Sequence, residues 1–143
     1  MTLHEVLNQR IADFAVLYFK LHRFHWFVQG TDFYTLHELY EELYDEATAQ
    51  LDEFAERLLA IGGSPVATLK GYLEITALSE AGDERDGIAI AHALIADYNT
   101  IVDGLKKGIG IAEDAGDHST ADMFISTITD IQKHVWMLKQ FVK

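Results

Sequence analysis

The sequence contains no cysteine, a single proline and no long uncharged apolar run. The absence of cysteine excludes disulfide bonds, thiolate metal sites and cysteine nucleophiles. One proline argues against a Pro-rich disordered chain. The apolar runs are far shorter than the roughly 20 residues that span a bilayer, and the N-terminus lacks the residue order of a signal peptide. We therefore expect a cytoplasmic protein without a membrane segment.

Basic residues are also scarce. The chain has 11 Lys and Arg against 23 Asp and Glu, which gives a net charge of −12. This charge argues against nucleic acid as a partner, because phosphate binding is driven by Lys and Arg. Apolar residues make up 49% of the 143 positions, enough to build the core of one domain over residues 1–143.

Two long helices are predicted in the first half of the chain. Thr2 and Glu5 form a capping-box pattern, and apolar residues then recur at intervals of three and four until Gly30. Thr35 and Glu38 repeat the capping pattern and predict the start of the second helix. Its apolar seam continues to the glycines and the proline of residues 62–65, which end it.

The second half predicts a long connection followed by two more helices. The connection covers residues 63–84 and includes a short helix over 68–78. The third helix is expected to begin at Asp83 and to bury Ile88, and the fourth covers about 119–141. A long crossover between the second and third of four helices is typical of the ferritin-like four-helix bundle, so we predict an all-α fold of that class.

Histidines and carboxylates lie beside the apolar seams of the first two helices. His25 occupies a position where the pattern favours a hydrophobic residue. His37 and Glu41 are four residues apart on the second helix, as are Asp52 and Glu56. At about 100° per residue these last four side chains share one stripe. Nitrogen and oxygen ligands of this kind suit a hard or borderline divalent metal ion.

The two pairs, His37 with Glu41 and Asp52 with Glu56, cannot bind the same metal ion within one copy of the helix. Glu41 and Asp52 are 11 residues apart, or roughly 16 Å along a helix, whereas metal–ligand bonds are only about 2.0–2.6 Å. Either the pairs are unrelated, or a second copy lies antiparallel across a two-fold axis near residues 46 and 47. That arrangement would place His37 and Glu41 opposite the partner's Asp52 and the partner's Glu56, with His25 completing the site.

A solvated acidic helix face is the alternative interpretation of this stripe. Residues 24–56 contain nine Asp and Glu but no Lys or Arg, whereas exposed helices usually mix charges of both signs. This imbalance favours bound cations. No Glu-x-x-His motif is present, so a di-iron core within one bundle is not expected.

Three motifs carry a resemblance to a known family. They are His25-Trp-Phe-Val-Gln-Gly30 followed by Leu36-His37-x-x-x-Glu41, then Leu51-Asp52-Glu-Phe-Ala-Glu56-Arg57 continuing to Gly62-Gly-Ser-Pro65, and Lys133-His-Val-Trp136. Their sequence, order and spacing resemble the Dps family, the mini-ferritins named as DNA-binding proteins from starved cells. The similarity extends over the whole chain.

The resemblance implies a hollow shell of twelve subunits that oxidises Fe(II), preferably with hydrogen peroxide rather than dioxygen, and stores ferric mineral. It implies sites shared across two-fold interfaces. His25, His37 and Glu41 would be ligands from one chain, together with the partner's Asp52 and the partner's Glu56. Many relatives have Asp at the position of Glu41.

Further residues gain a role only through the resemblance. Trp26 and Trp136 match tryptophans near the iron site that are thought to intercept oxidising radicals; packing is the alternative. Glu113, His118 and Asp122 match the lining of an iron-entry pore, where relatives often have an acid instead of His118. For these three residues the alternative is a capped helix start and a polar turn.

Two other functions stay open from the sequence. One is a DNA-compacting structural protein, as the family name suggests. DNA-binding members often carry a Lys-rich terminal arm, which this sequence lacks, and its acidic charge opposes a polyanion. The other is a helical scaffold or signalling dimer whose acidic residues only solvate it.

Overall fold

The computed structural model describes all 143 residues and contains five helices and no strand. The helices are α1 (Leu3–Phe27), α2 (Phe33–Ala60), α3 (Leu69–Ile75), α4 (Gly87–Asp114) and α5 (His118–Phe141). The four long helices form a bundle, and α3 lies in the crossover between α2 and α4. This confirms the predicted all-α four-helix fold. None of the helices combines the length and the apolar character needed to cross a membrane.

The bundle is built from two helical hairpins, α1 with α2 and α4 with α5, and α1 also packs against α4 and α3. Aromatic rings join the helices at the centre. Phe14 meets Phe54 edge-on, with ring centroids 5.5 Å apart, and Phe54 meets Phe124 at 5.6 Å. All three rings are buried within a continuous apolar cluster. The seam positions predicted from the three-and-four spacing supply most of that cluster.

The helix starts are set by local chemistry and differ in part from the predictions. The Thr2 capping box is present, since Thr2 Oγ1 accepts from the Glu5 amide at 3.2 Å. The second capping box, at Thr35, is wrong. Gly30 adopts a positive φ of 115° and its carbonyl accepts from the Phe33 amide at 3.2 Å, so α2 begins earlier and Thr35 lies inside it.

The third long helix begins four residues later than predicted. The Gln29 amide donates to the Arg85 carbonyl at 2.8 Å, which keeps the end of the crossover extended. Asp86 then caps α4 by accepting from the Ala89 amide at 3.1 Å. The expected burial of Ile88 is wrong, because α4 turns its Ile90 face to the core and leaves Ile88 48% exposed.

Buried polar groups fasten the crossover to α1. The Asp13 carboxylate accepts from Thr76 Oγ1 at 2.7 Å and from the Ala77 amide at 2.8 Å, and it pairs with Arg10 at 2.9 Å. Burial raises the pKa of Asp13, against the opposing effect of Arg10 and the hydrogen bonds. Because these groups satisfy one another in the interior, the crossover keeps one path along the bundle.

The glycines of α4 allow it to approach α1 closely. A Cβ atom on Gly104 would lie 1.3 Å from Arg10 Nη1. One on Gly108 would lie 2.8 Å from the Phe124 ring and from Val6. The glycines that lower the helix propensity of α4 therefore make room for a buried guanidinium and an aromatic ring.

We expect Gly104→Ala to destabilise the protein by about 1–3 kcal/mol, because the new methyl group must displace a buried, paired guanidinium. Gly110→Ala is the matched control on the same helix. Its Cβ meets nothing within 4 Å, so it should stabilise the protein by about 0.5–1 kcal/mol through helix propensity. Thermal unfolding of the two variants measures the difference. Upward shifts of the melting temperature in both variants would contradict the packing argument.

Candidate metal centre

His25 and His37 are locked together where α1 ends and α2 begins. The Nδ1 atom of His25 lies 2.6 Å from the His37 carbonyl oxygen, and the Nδ1 atom of His37 lies 2.8 Å from the His25 carbonyl oxygen. The two rings stack with centroids 3.6 Å apart and planes 13° from parallel. The tight turn at Gly30, with its positive φ, returns the chain so that these two positions meet.

This reciprocal bonding determines the tautomer of both rings. A carbonyl oxygen can only accept, so each Nδ1 must carry the hydrogen and donate it. In the neutral rings each Nε2 therefore keeps a free lone pair. An imidazole held by an Nδ1–H···O=C hydrogen bond with Nε2 available is the usual arrangement of a metal-binding histidine.

Glu41 lies one helical turn after His37 on α2, and its carboxylate lies near the Nε2 atom of His25. Its Oε1 atom is 3.9 Å from Nε2 of His25, and the Tyr44 hydroxyl donates to the same oxygen at 3.3 Å. Two ligands with bonds of about 2.1 Å to one ion can be at most about 4.2 Å apart. The distance between His25 and Glu41 is therefore within the range of two ligands that share an ion.

Asp52 and Glu56 are not brought to this cluster. Both are exposed farther along α2 and have no hydrogen-bond or ion-pair partner in the chain. No group of three His, Asp or Glu side chains in the single chain converges closely enough to hold a metal ion. One chain therefore presents two separate incomplete groups, His25 with His37 and Glu41, and Asp52 with Glu56.

Aromatic side chains surround the histidine group on one side. His22 stacks on Tyr44 at 3.8 Å and contacts the Trp26 ring at 5.4 Å, and Phe33 stacks on His37 at 5.1 Å. The sequence patterns did not identify Tyr44 as a residue of this group. Its three-residue spacing from Glu41 was the available signal. Desolvation, followed by the negative charge of Glu41, raises the pKa of Tyr44 above its usual range. A tyrosine hydroxyl is protonated at neutral pH even without this shift, so it can donate to Glu41.

The two tryptophans differ in their surroundings. Trp26 is 65% exposed and is linked to the histidine group through His22. Trp136 is 59% exposed on α5 and contacts no aromatic ring of the chain. The structure thus brings Trp26, but not Trp136, next to the predicted ligands within one subunit.

The predicted pore residues cluster at the turn between α4 and α5. Glu113, His118 and Asp122 are all exposed there. Asp117, between them, is already engaged: it caps α5 and pairs with Arg57 at 2.9 Å. Partial burial of its carboxylate is outweighed by hydrogen bonds from Thr120 and Arg57, and these lower the pKa of Asp117.

His134 pairs with Glu46 between α5 and α2, close to the Tyr98 ring. His92 is exposed on α4. Neither histidine contacts the predicted ligands.

Comparisons with known proteins agree with the fold and the motifs. The ferritin-like domain family matches residues 4–143. DNA protection during starvation protein 2 of Bacillus anthracis is 48% identical over 138 residues, which are 96% of this chain and 94% of that protein.

Solved structures give the same result. Dps from Staphylococcus aureus superposes with a TM-score of 0.96 at 42% identity, covering 99% of this chain and 95% of that one. Dps from Vibrio cholerae superposes with a TM-score of 0.95 at 30% identity, covering 99% of this chain and 89% of that one. That protein is described as a member of a broad superfamily of ferritin-like diiron-carboxylate proteins. The family match, the sequence identities, the fold and the near-complete coverage show that this chain belongs to the Dps family of mini-ferritins within the ferritin-like superfamily.

Proposed function

We propose that the protein oxidises Fe(II) to Fe(III) at sites shared between two copies of the chain and stores the ferric product inside a hollow dodecamer. The observation that carries this proposal is the division of ligands along α2. His25, His37 and Glu41 form a group at one end, and two unpaired carboxylates lie about 16 Å farther along. Neither group is sufficient alone to hold a metal ion.

An antiparallel partner would complete two equivalent sites at once. His37 and Glu56 lie at equal distances on either side of residues 46 and 47, as do Glu41 and Asp52, so one two-fold axis superposes both pairs. His25, His37 and Glu41 would then face the partner's Asp52 and the partner's Glu56.

Exposed apolar side chains support such a contact. Phe19 and Trp26 of α1 are more than half exposed, as is Leu69 of α3. An open groove of about 350 Å³ runs between α1 and α3, beside Phe19. Apolar surface of this extent commonly marks an association surface. Family membership supports the count of twelve subunits.

The donor set suits iron as the substrate. Imidazole nitrogen binds Fe(II), and the hard anionic carboxylates stabilise Fe(III) more strongly. With hydrogen peroxide as oxidant, two Fe(II) ions give one electron each, and the peroxide takes up these two electrons with two protons from solvent to give two molecules of water. Pairing the two electrons avoids release of hydroxyl radical. Dioxygen would be the slower alternative oxidant.

The remaining predicted residues have supporting roles in this proposal. Glu113, His118 and Asp122 would line an entry pore between subunits and attract cations, with the exposed Asp114 adding negative charge. Trp26 would intercept stray oxidising equivalents near the site. Trp136 could do so only for a site completed by another subunit.

A complementation experiment tests the shared site directly. One variant carries His37→Ala with Glu41→Ala, and the other carries Asp52→Ala with Glu56→Ala. Each alone should lose the rapid phase of Fe(III) formation after anaerobic Fe(II) is mixed with hydrogen peroxide. The two variants are then mixed in equal amounts, unfolded and reassembled together. About half of the dimers should be mixed, and each mixed dimer contains one intact site of two, so about a quarter of the wild-type sites should be restored.

The control for this experiment is each variant reassembled with itself, which should stay inactive. Size-exclusion chromatography confirms that every sample has the same assembly. Mixed assemblies that remain as slow as the parent variants would refute the sharing of ligands between chains.

Direct compaction of DNA is the second candidate, because the relative from Bacillus anthracis is named for DNA protection. The net charge of −12 for each chain opposes binding to a polyanion. We propose that any protection of DNA comes from removing Fe(II) and peroxide.

We expect no retardation of linear duplex DNA in a gel at neutral pH and physiological salt. Repeating the assay with Mg²⁺ separates direct binding from cation bridging. A shifted band in the metal-free lanes would favour DNA binding by the protein itself.

A further inference from the structure

We infer that Tyr44 is a positioning residue, which holds the Glu41 carboxylate where a metal ligand is needed. The inference rests on the shared metal site proposed above and adds a residue that the motifs did not identify. It concerns the group of His25, His37 and Glu41 within one chain, and every contact that supports it lies within that chain.

The Glu41 side chain is less constrained than the two histidine rings, so its orientation depends more on an additional hydrogen bond. Each imidazole is fixed by a hydrogen bond from Nδ1 to a backbone carbonyl and by stacking on the other ring. The Glu41 side chain is 56% exposed and has three rotatable bonds. Ordering such a side chain costs conformational entropy. The Tyr44 hydroxyl is the only hydrogen-bond donor in the chain that contacts its carboxylate.

Tyr44 is itself rigidly held. Its ring stacks on His22 with centroids 3.8 Å apart and planes 19° from parallel. Tyr18 and His25 meet the same ring edge-on at 5.8 and 5.4 Å. His22 is fixed in turn, because its Nδ1 bonds to the Tyr18 carbonyl at 2.9 Å. The hydroxyl is therefore a donor with a defined position.

The contacts of Glu41 Oε1 show where Tyr44 orients the carboxylate. Glu41 Oε1 receives the Tyr44 hydroxyl at 3.3 Å and lies 3.9 Å from His25 Nε2. The second contact is not a hydrogen bond, because both atoms carry lone pairs when the imidazole is neutral. The carboxylate is thus kept beside the lone pair of His25 without bonding to it. Two metal ligands in the absence of their ion would have this arrangement.

The test measures binding of Co(II), which reports the site by calorimetry and by its visible absorption without iron oxidation. Tyr44→Phe keeps the ring stack and removes only the hydroxyl. In the assembled protein we expect its affinity for Co(II) to fall by about tenfold, since groups that orient metal ligands typically contribute 10–100-fold. Tyr34→Phe is the matched control on the same helix, because the Tyr34 hydroxyl forms no hydrogen bond in the chain and its ring touches neither Tyr44 nor Glu41. It should bind Co(II) within about twofold of wild type.

A double-mutant cycle separates positioning from a structural effect. If Tyr44 acts through Glu41, Tyr44→Phe should cause no further loss of affinity in a Glu41→Ala background. The role of Tyr44 would be overturned by wild-type affinity in Tyr44→Phe, or by an equal loss in both backgrounds. A different result would overturn the proposed metal site itself: Co(II) binding that His37→Ala leaves unchanged.

Discussion

The reciprocal hydrogen bonds between His25 and His37 are the constraint on which the candidate site depends. Each ring donates from Nδ1 to the backbone carbonyl of the other residue. These two bonds therefore join side chain to main chain in both directions, and they fix α1 against α2 at the end of the hairpin. They also leave both Nε2 atoms with lone pairs on neighbouring, parallel rings. The same contact thus sets helix register and ligand chemistry.

Three of the basic residues pair with carboxylates outside the α2 stripe. Lys20 is buried against Asp97 at 2.6 Å, Arg10 is buried against Asp13, and Arg57 is paired with Asp117. Each neutralises a carboxylate that the fold itself needs. The acids of the stripe face outward with no such neutralisation. Their mutual repulsion is tolerable because they are exposed to water and counterions, and a bound cation between two subunits would relieve it further.

Helix α2 therefore serves two surfaces at the same time. One face supplies Tyr40, Leu43 and Phe54 to the core, where burial of apolar area stabilises the bundle. The other face presents the predicted ligands at two levels that no single chain can bring together. Because the helix is stiff, the distance between those levels is fixed at about 16 Å. Because α2 cannot bend enough to bring the two groups together, a symmetric partner chain is the simpler way to complete a metal site.

The sequence by itself determined the helical class and the crossover, because apolar periodicity acts within one helix. From four-residue spacing it also predicted the candidate ligands on α2, and these stay predictions. It placed Thr35 as a cap and Ile88 in the core, and both were wrong. The local turn at Gly30 decided the start of α2, and the hydrogen bond between Gln29 and Arg85, which joins segments distant in sequence, decided the start of α4. The tautomers of His25 and His37 required tertiary structure, since their hydrogen bonds form only when α1 and α2 pack. The hydrogen bond from Tyr44 to Glu41 lies within α2, and only the stacking of Tyr44 on His22 of α1 needed the tertiary structure.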